Sequence, residues 1–532
     1  MLKMPMIFGD RMVLQREKRI AVWGETEGGA KVTAVLDGNE VSSVADPEGK
    51  FIIYLPEMPV KRGLTLTVKT AAESVTYNDV KTGDVFIAGG QSNMEYLLGT
   101  DADKDFEINA DKFPEVSFFG YPEYSYEGME EEFPDESRGF WRIADAENIP
   151  FFSAVAYYFA KRVNEALNVP IGIVGCNWGG SPVSAWMAKE DVTGELDVLW
   201  KQYREETAGV DLKEVIGRKK ALIKTTYEAT HTYGKVNADS LMQANGVNEL
   251  LYPGFSREKQ LEMLAEWSVK IPLNPIHEWR PCGLYETMLK KITPYSAKAV
   301  IWYQGESDCN PDRGPIYNKS FGKMIRRWRL DWNDDLPFFF VQIAPFGHWM
   351  DCEGKDYHYV REAQDKLTKE MKDTYMVSIG DSGMMWDIHP KHKRPVGERM
   401  AELAIGHMYN MPDKCKTPGL CDAPEFSEIQ RLGKNEIRIK LLYADGLHVE
   451  KHAYPCIDPI SREEDEAARK PVNDPINGFD VPGLKSVSIE NDELVLFGDF
   501  SENTPVAFAQ GDYYEVNVYN KAGIPLKPFM VK

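Results

Sequence analysis

A chain of 532 residues, 43% of them hydrophobic and 27% charged, exceeds the roughly 250 to 300 residues at which single cores stop growing and is far too apolar to be disordered. Its formal net charge of −21, from 62 basic against 83 acidic residues, repels phosphate backbones and anionic lipid. No basic run offsets that field, so neither a nucleic acid nor a membrane is expected as a partner, and an anionic ligand would need a local basic patch.

Seven scattered cysteines without a C-x-x-C pair show no zinc or dithiol signature, so buried thiols are expected, with no metal and no cofactor. The N-terminus lacks the apolar core of a signal peptide, and no segment reaches the roughly 18 apolar residues that span a bilayer. A cytoplasmic location is the expectation, with a secreted or periplasmic one the alternative if a signal has been trimmed. Nothing in the residues speaks to oligomeric state.

Residues 1–80 hold short alternating segments such as Lys31-Val-Thr-Ala-Val-Leu36 and Phe51-Ile-Ile-Tyr-Leu55, separated by turn signals such as Asp37-Gly-Asn39. This pattern predicts an all-β, sandwich-like module. Over 81–190 and again over 280–410, continuous apolar runs end in Gly- or Ser-bearing turns and lead into helical periods. Asp84-Val-Phe-Ile-Ala88, Pro170-Ile-Gly-Ile-Val-Gly175 and Ala299-Val-Ile-Trp-Tyr303 are such runs. They predict an α/β core with a parallel sheet covered on both faces, where chemistry gathers at the carboxyl ends of the strands. Residues 191–279 read as a helical insertion with amphipathic stretches around Leu199–Tyr203, Val215–Tyr227 and Glu258–Trp267, serving as a lid or a packing appendage. From 411 to 532 the β pattern returns.

Four strand-end motifs carry the chemistry. Ile87-Ala-Gly-Gly-Gln-Ser-Asn-Met94 places Ser92 behind two glycines, where a hydroxyl can be exposed and backbone can approach a ligand. It departs from the G-x-S-x-G elbow, so the common α/β-hydrolase fold is not expected. Gly175-Cys-Asn-Trp-Gly-Gly-Ser-Pro-Val-Ser-Ala-Trp186 offers main-chain donors at Gly179 or Gly180. Trp302-Tyr-Gln-Gly-Glu-Ser-Asp308 offers the Gln304 amide and two carboxylates. Trp386-Asp-Ile-His389 supplies an Asp–His pair before a final helix. A serine, two donors and a histidine with a carboxylate make up an acyl-transfer site.

These motifs resemble those of the sialate O-acetylesterase-like proteins within the SGNH hydrolases: G-Q-S-N-M, G-G before a tryptophan, W-Y-Q-G-E and H-P-x-x-K. Phe8–Arg16 and Val518–Phe529 resemble that family's termini, so the likeness spans nearly the whole chain and is weakest over 191–279. The resemblance implies an SGNH-type three-layer core and a serine esterase acting on acetylated carbohydrate without a cofactor. It further implies Ser92 as nucleophile, His389 as general base, and an oxyanion hole from Ser92, Gly180 and Gln304. The family's acid lies three residues before the histidine, a position occupied here by Trp386. Asp387, at two residues, is the first choice; Asp381 and Glu306 are alternatives. Gln91, Asn93 and Glu306 are expected to support the site, with Trp178, Trp186 and Tyr303 stacking on a sugar or bounding the acyl pocket.

Several other residues look chemical. Gly380-Asp-Ser382 imitates a nucleophile motif but comes too late in the chain. His392 precedes Lys393 and Arg394, as in a solvated loop. His448 and His452 have metal-ligand spacing but no third ligand, and Glu306 with Asp308 imitates a glycosidase pair. A carbohydrate-binding protein with a dead site, or a lipase or thioesterase of the same fold, are the competing classes.

Overall fold

The computed structural model describes all residues except 233–270, 350–351, 386, 451–475 and 532. They form two compact units: 1–232, 271–307 and 319–338 make the first, and 308–318 with 339–531 the second.

In the first unit the N-terminal strands alternate as their residues predict. In Lys50–Leu55 the side chains of Phe51, Ile53 and Leu55 are buried and those of Lys50, Ile52 and Tyr54 are exposed. This strand pairs antiparallel with Ile20–Glu25, and Lys31–Leu36 pairs antiparallel with both Asn39–Val44 and Lys61–Lys69. The pivotal element is Ser74–Gly90, 17 residues long. Its first half pairs antiparallel with Lys61–Lys69; its second half lies parallel between Ile171–Asn177 and Ala299–Tyr303. Burial changes along it from partial to continuous, because its second half is covered on both faces. The boundary expected at residue 80 therefore falls inside one uninterrupted strand.

The core sheet of this unit runs in the order Ala299–Tyr303, Ser74–Gly90, Ile171–Asn177, Val116–Gly120 and Trp141–Ile143, the last antiparallel. On one face Phe86 meets Phe159 of the helix Ala154–Leu167, ring centroids 4.7 Å apart. Gly89, three residues on, faces the other way, toward Trp302 and Trp328, whose rings pack edge to face at 5.6 Å. Helix Ala154–Leu167 starts where the Ser153 hydroxyl accepts the Ala156 N–H at 3.2 Å, and stops at Asn168, which takes the left-handed conformation. Within the expected insertion, helices Lys201–Thr207 and Leu212–Thr232 are present, and the Glu258–Trp267 stretch lies outside the described residues.

The strand Phe338–Val341, whose residues from 339 on belong to the second unit, is hydrogen-bonded to Thr374–Val377. Helix Arg394–Leu403, with proline in its first turn, passes into a π-helical turn, Ala404–Met408. A four-stranded antiparallel sheet follows, in the order Glu425–Leu432, Glu436–Leu442, Glu493–Gly498, Leu484–Glu490, with a three-stranded sheet of Phe479–Asp480, Val506–Phe508 and Phe529–Val531. Ile437, Ile439, Leu494 and Leu496 share one buried cluster with Val506, Phe508, Val518 and Phe529. The expected class, an α/β core with β-rich regions, is the one observed. No helix among the described residues is long and apolar enough to cross a membrane.

Candidate active site

In the first unit, three loops leave the carboxyl ends of neighbouring parallel strands. Register sets Gly90 opposite both Asn177 and Tyr303, so the three motifs emerge side by side. Two glycines make this crossing possible. Gly90 has φ +138, and a Cβ there would lie 2.1 Å from the Tyr303 carbonyl; a Cβ at Gly89 would press on the Trp302 ring at 2.9 Å. The chain then turns into the short helix Ser92–Glu95; Gln91 before it and Asn93 and Met94 within it are buried, while Ser92 keeps partial exposure.

Hydrogen bonds tie the loops together. The Gln91 side-chain oxygen accepts the N–H groups of Gly305 and Ser307, each at 3.3 Å. Asn93 donates to Glu306 at 2.5 Å, and the Ser307 hydroxyl donates to the Gly180 carbonyl at 2.8 Å. Gln304, 0% exposed, donates through Nε2 to the Ser181 carbonyl at 3.2 Å. Buried amides with several partners have one satisfactory orientation, which makes the lattice a rigid frame around Ser92.

The two glycines of the second loop differ. The N–H of Gly179 donates to the Glu95 carboxylate at 2.9 Å, whereas no acceptor among the described residues takes the N–H of Gly180. Gly180 adopts φ +70, and a Cβ on it would meet the indole of Trp279 at 2.5 Å. That indole is anchored by its own N–H to the Gly179 carbonyl at 3.0 Å, yet Trp279 stays 42% exposed.

In the second unit Asp387 is 1% and His389 is 8% exposed. Asp387 Oδ1 accepts the His389 backbone N–H at 2.8 Å and stands 3.6 Å from the ring Nδ1, longer than a hydrogen bond; Oδ2 pairs with Lys391 at 2.8 Å. Burial lowers the pKa of His389 below the usual 6.5, Asp387 opposes that, and Lys391 and Lys393 add to it. Burial pushes the Asp387 carboxyl up, but the adjacent His389 and Lys391 outweigh it and hold it below its ordinary value. The two alternative acids have other partners: Asp381 forms a bidentate pair with Arg399, both contacts 2.7 Å, and Glu306 accepts from Asn93.

Of the two roles expected of Trp186 and Tyr303, stacking finds no free ring face, since each is 0% exposed. Trp186 instead braces the second loop, its indole N–H donating to the Ser181 hydroxyl at 2.9 Å, and Tyr303 belongs to the core sheet. Trp178 retains partial exposure. Ser382 is buried, with its hydroxyl donating to Asp381, so Gly380-Asp-Ser382 is part of the Arg399 anchor. His448 faces Glu450 and the Gly446 carbonyl; His452 and Trp386 lie outside the described residues. Motif reading missed Glu95 and Trp279. Glu95 follows Ser92 by three residues, one helical turn, and that spacing was its only signal. Trp279 lies outside all four motifs, and only the fold brings it to Gly180.

Residues 273–406 match the family model described as carbohydrate esterase, sialic acid-specific acetylesterase. The sialate O-acetylesterase of Rattus norvegicus is 24% identical over 480 residues, 83% of this chain and 78% of the relative. That of Mus musculus is 26% identical over 428 residues, 73% and 70% of the two. A carbohydrate acetylesterase from Xanthomonas citri has a similar fold, with a TM-score of 0.69 over the whole of both chains at 24% identity. Over most of its length the chain is thus similar to sialate O-acetylesterases, which are carboxylic ester hydrolases, and its residues 273–406 match a carbohydrate esterase domain.

Proposed function

We propose that this chain removes O-acetyl groups from a sialic acid or a plant-glycan oligosaccharide through an acyl-enzyme on Ser92. His389, oriented by Asp387, takes the Ser92 proton as the serine oxygen attacks the acetyl carbonyl. The resulting oxyanion is held by the N–H groups of Ser92 and Gly180 and by the Gln304 amide, each such donor contributing about 3 to 4 kcal/mol to the transition state. On collapse the ester C–O bond breaks and His389 passes its proton to the departing sugar oxygen. Water, activated by the same imidazole, then attacks the acyl carbonyl, and acetate leaves as Ser92 regains its proton.

The observation that carries this reading is the hydrogen-bonded frame around Ser92, with Gly179 engaged by Glu95 and Gly180 left with an N–H to offer. Two further observations support it. His389 is biased toward the neutral form a general base requires, and Trp279 presents an anchored, exposed ring beside Gly180 that suits the apolar face of a sugar.

Acetate release from p-nitrophenyl acetate, acetylated sialic acid, and xylan and xyloglucan fragments provides the test. Ser92→Ala is expected to lose about 10⁴-fold or more in kcat, and undiminished hydrolysis would overturn the nucleophile. Sugar binding by the wild type without acetate release would instead identify a dead binding protein. Activity confined to lipid or thioesters would move the substrate class.

A further inference from the structure

The second unit holds a cluster with no place in the ester chemistry. His407, in the π-helical turn Ala404–Met408, faces Cys421 and Asp422, which lie just before the strand Glu425–Leu432. His407 Nε2 is 3.0 Å from both Asp422 oxygens, Cys421 Sγ is 3.7 Å from that nitrogen, and Sγ is 3.4 Å from Asp422 Oδ2. Zinc-like bond lengths of about 2.0 to 2.3 Å at tetrahedral angles would set a nitrogen, a thiolate and a carboxylate oxygen about 3.3 to 3.6 Å apart. The three observed separations lie within about 0.4 Å of those edges, so the atoms already outline one face of a tetrahedron.

Two features of the surroundings favour an ion. A Cβ at Gly406 would lie 2.4 Å from Cys421 Sγ, so only glycine in the π-turn leaves room for the sulfur beside the imidazole. The ring of Tyr375 stacks on His407 at 5.0 Å and 17°, fixing the plane in which Nε2 points. His407 and Asp422 keep side-chain exposures of 34% and 25%, so water can complete the coordination.

We propose that His407, Cys421 and Asp422 form a site for a thiophilic divalent cation of the Zn²⁺ class, with water as the fourth ligand. On binding, the metal–sulfur bond replaces the S–H bond of Cys421 and the thiol proton passes to solvent. Thiolate and carboxylate then neutralise the ion's two positive charges, and imidazole supplies a neutral ligand. The ion joins the end of the helical segment that follows the His389 loop to the approach of the C-terminal sheet, which makes it a structural clamp.

The test uses the full chain, stripped with a chelator and kept reduced with a phosphine, titrated with Zn²⁺ against a chromogenic chelator and separately with Co²⁺. One Zn²⁺ per chain is expected, together with a thiolate-to-cobalt charge-transfer absorption. Cys421→Ser should abolish that absorption, and Cys421→Ser, His407→Ala and Asp422→Asn should each weaken Zn²⁺ binding about tenfold or more. Unchanged p-nitrophenyl acetate hydrolysis by Cys421→Ser confirms that the variant is folded. Wild-type affinity no greater than that of a His407→Ala/Cys421→Ser double variant, or a cobalt complex lacking the thiolate absorption, would overturn the proposal and leave an ion pair beside a buried thiol.

Discussion

The loops around Ser92 and the loop carrying His389 are ordered by different forces. Around Ser92, amides, hydroxyls, backbone groups and the carboxylates of Glu95 and Glu306 lock three strand ends to one another across long stretches of chain, and glycines sit where a Cβ would collide. Around His389 the ordering is local and ionic: Asp387 turns back on the His389 N–H, and Lys391 balances its charge. The proposed oxyanion hole would need donor positions set before the reaction, and a sheet with cross-linked loops suits that need. A general base acts through its pKa and tautomer, which burial and a few neighbouring charges can set.

This contrast can be broken by substitution. After Ser92→Ala, the largest loss is expected from Asp387→Asn, about 10³-fold or more in kcat, because the neutral amide no longer favours the required tautomer or stabilises the imidazolium. A loss of tenfold or less, with a thousandfold loss in Asp381→Asn or Glu306→Gln, would move the acid elsewhere. Gln304→Ala should lower kcat by about 10² to 10³-fold with little change in KM, as befits a donor acting in the transition state. Trp279→Ala should raise KM for acetylated sugars about tenfold while sparing p-nitrophenyl acetate; equal losses on both substrates would make it a brace for Gly180 alone.

The smallest expected effect is the most specific to the ionic loop. Because burial lowers the pKa of His389, the acid limb of kcat/KM should fall below pH 6.5, with activity lost as pH drops through that lowered value and the base becomes protonated. Lys391 disfavours the charged imidazole, so Lys391→Ala should shift the limb upward, toward 6.5. A downward shift would show that Lys391 does not act on His389 by charge.

The apolar runs that became the core sheet were legible because strands covered on both faces must be continuously hydrophobic, and the N-terminal strands because one-sided burial imposes alternation. Ser92, Gly180 and Gln304 could be read as candidates since each closes a run with residues that bare backbone or a polar tip. For Trp186 and Tyr303 stacking on a sugar and bounding the acyl pocket both stayed open, since a motif tells that an aromatic is near a strand end but not which way it faces. Glu95 and Trp279 escaped notice because their partners, Gly179 and Gly180, lie 84 and 99 residues away along the chain. The gathering of His407, Cys421 and Asp422 escaped it for the same reason, since spacings of 14 and 15 residues match no local metal motif.

By itself the sequence determined the element types, the strand-end motifs and the class of chemistry, all of which rest on near-neighbour periodicity and residue type. Only tertiary structure decided which glycine keeps a donor to offer, which tryptophan remains exposed, and which acids are held by other partners. Those outcomes depend on hydrogen bonds and contacts between residues that the chain separates and the fold brings together.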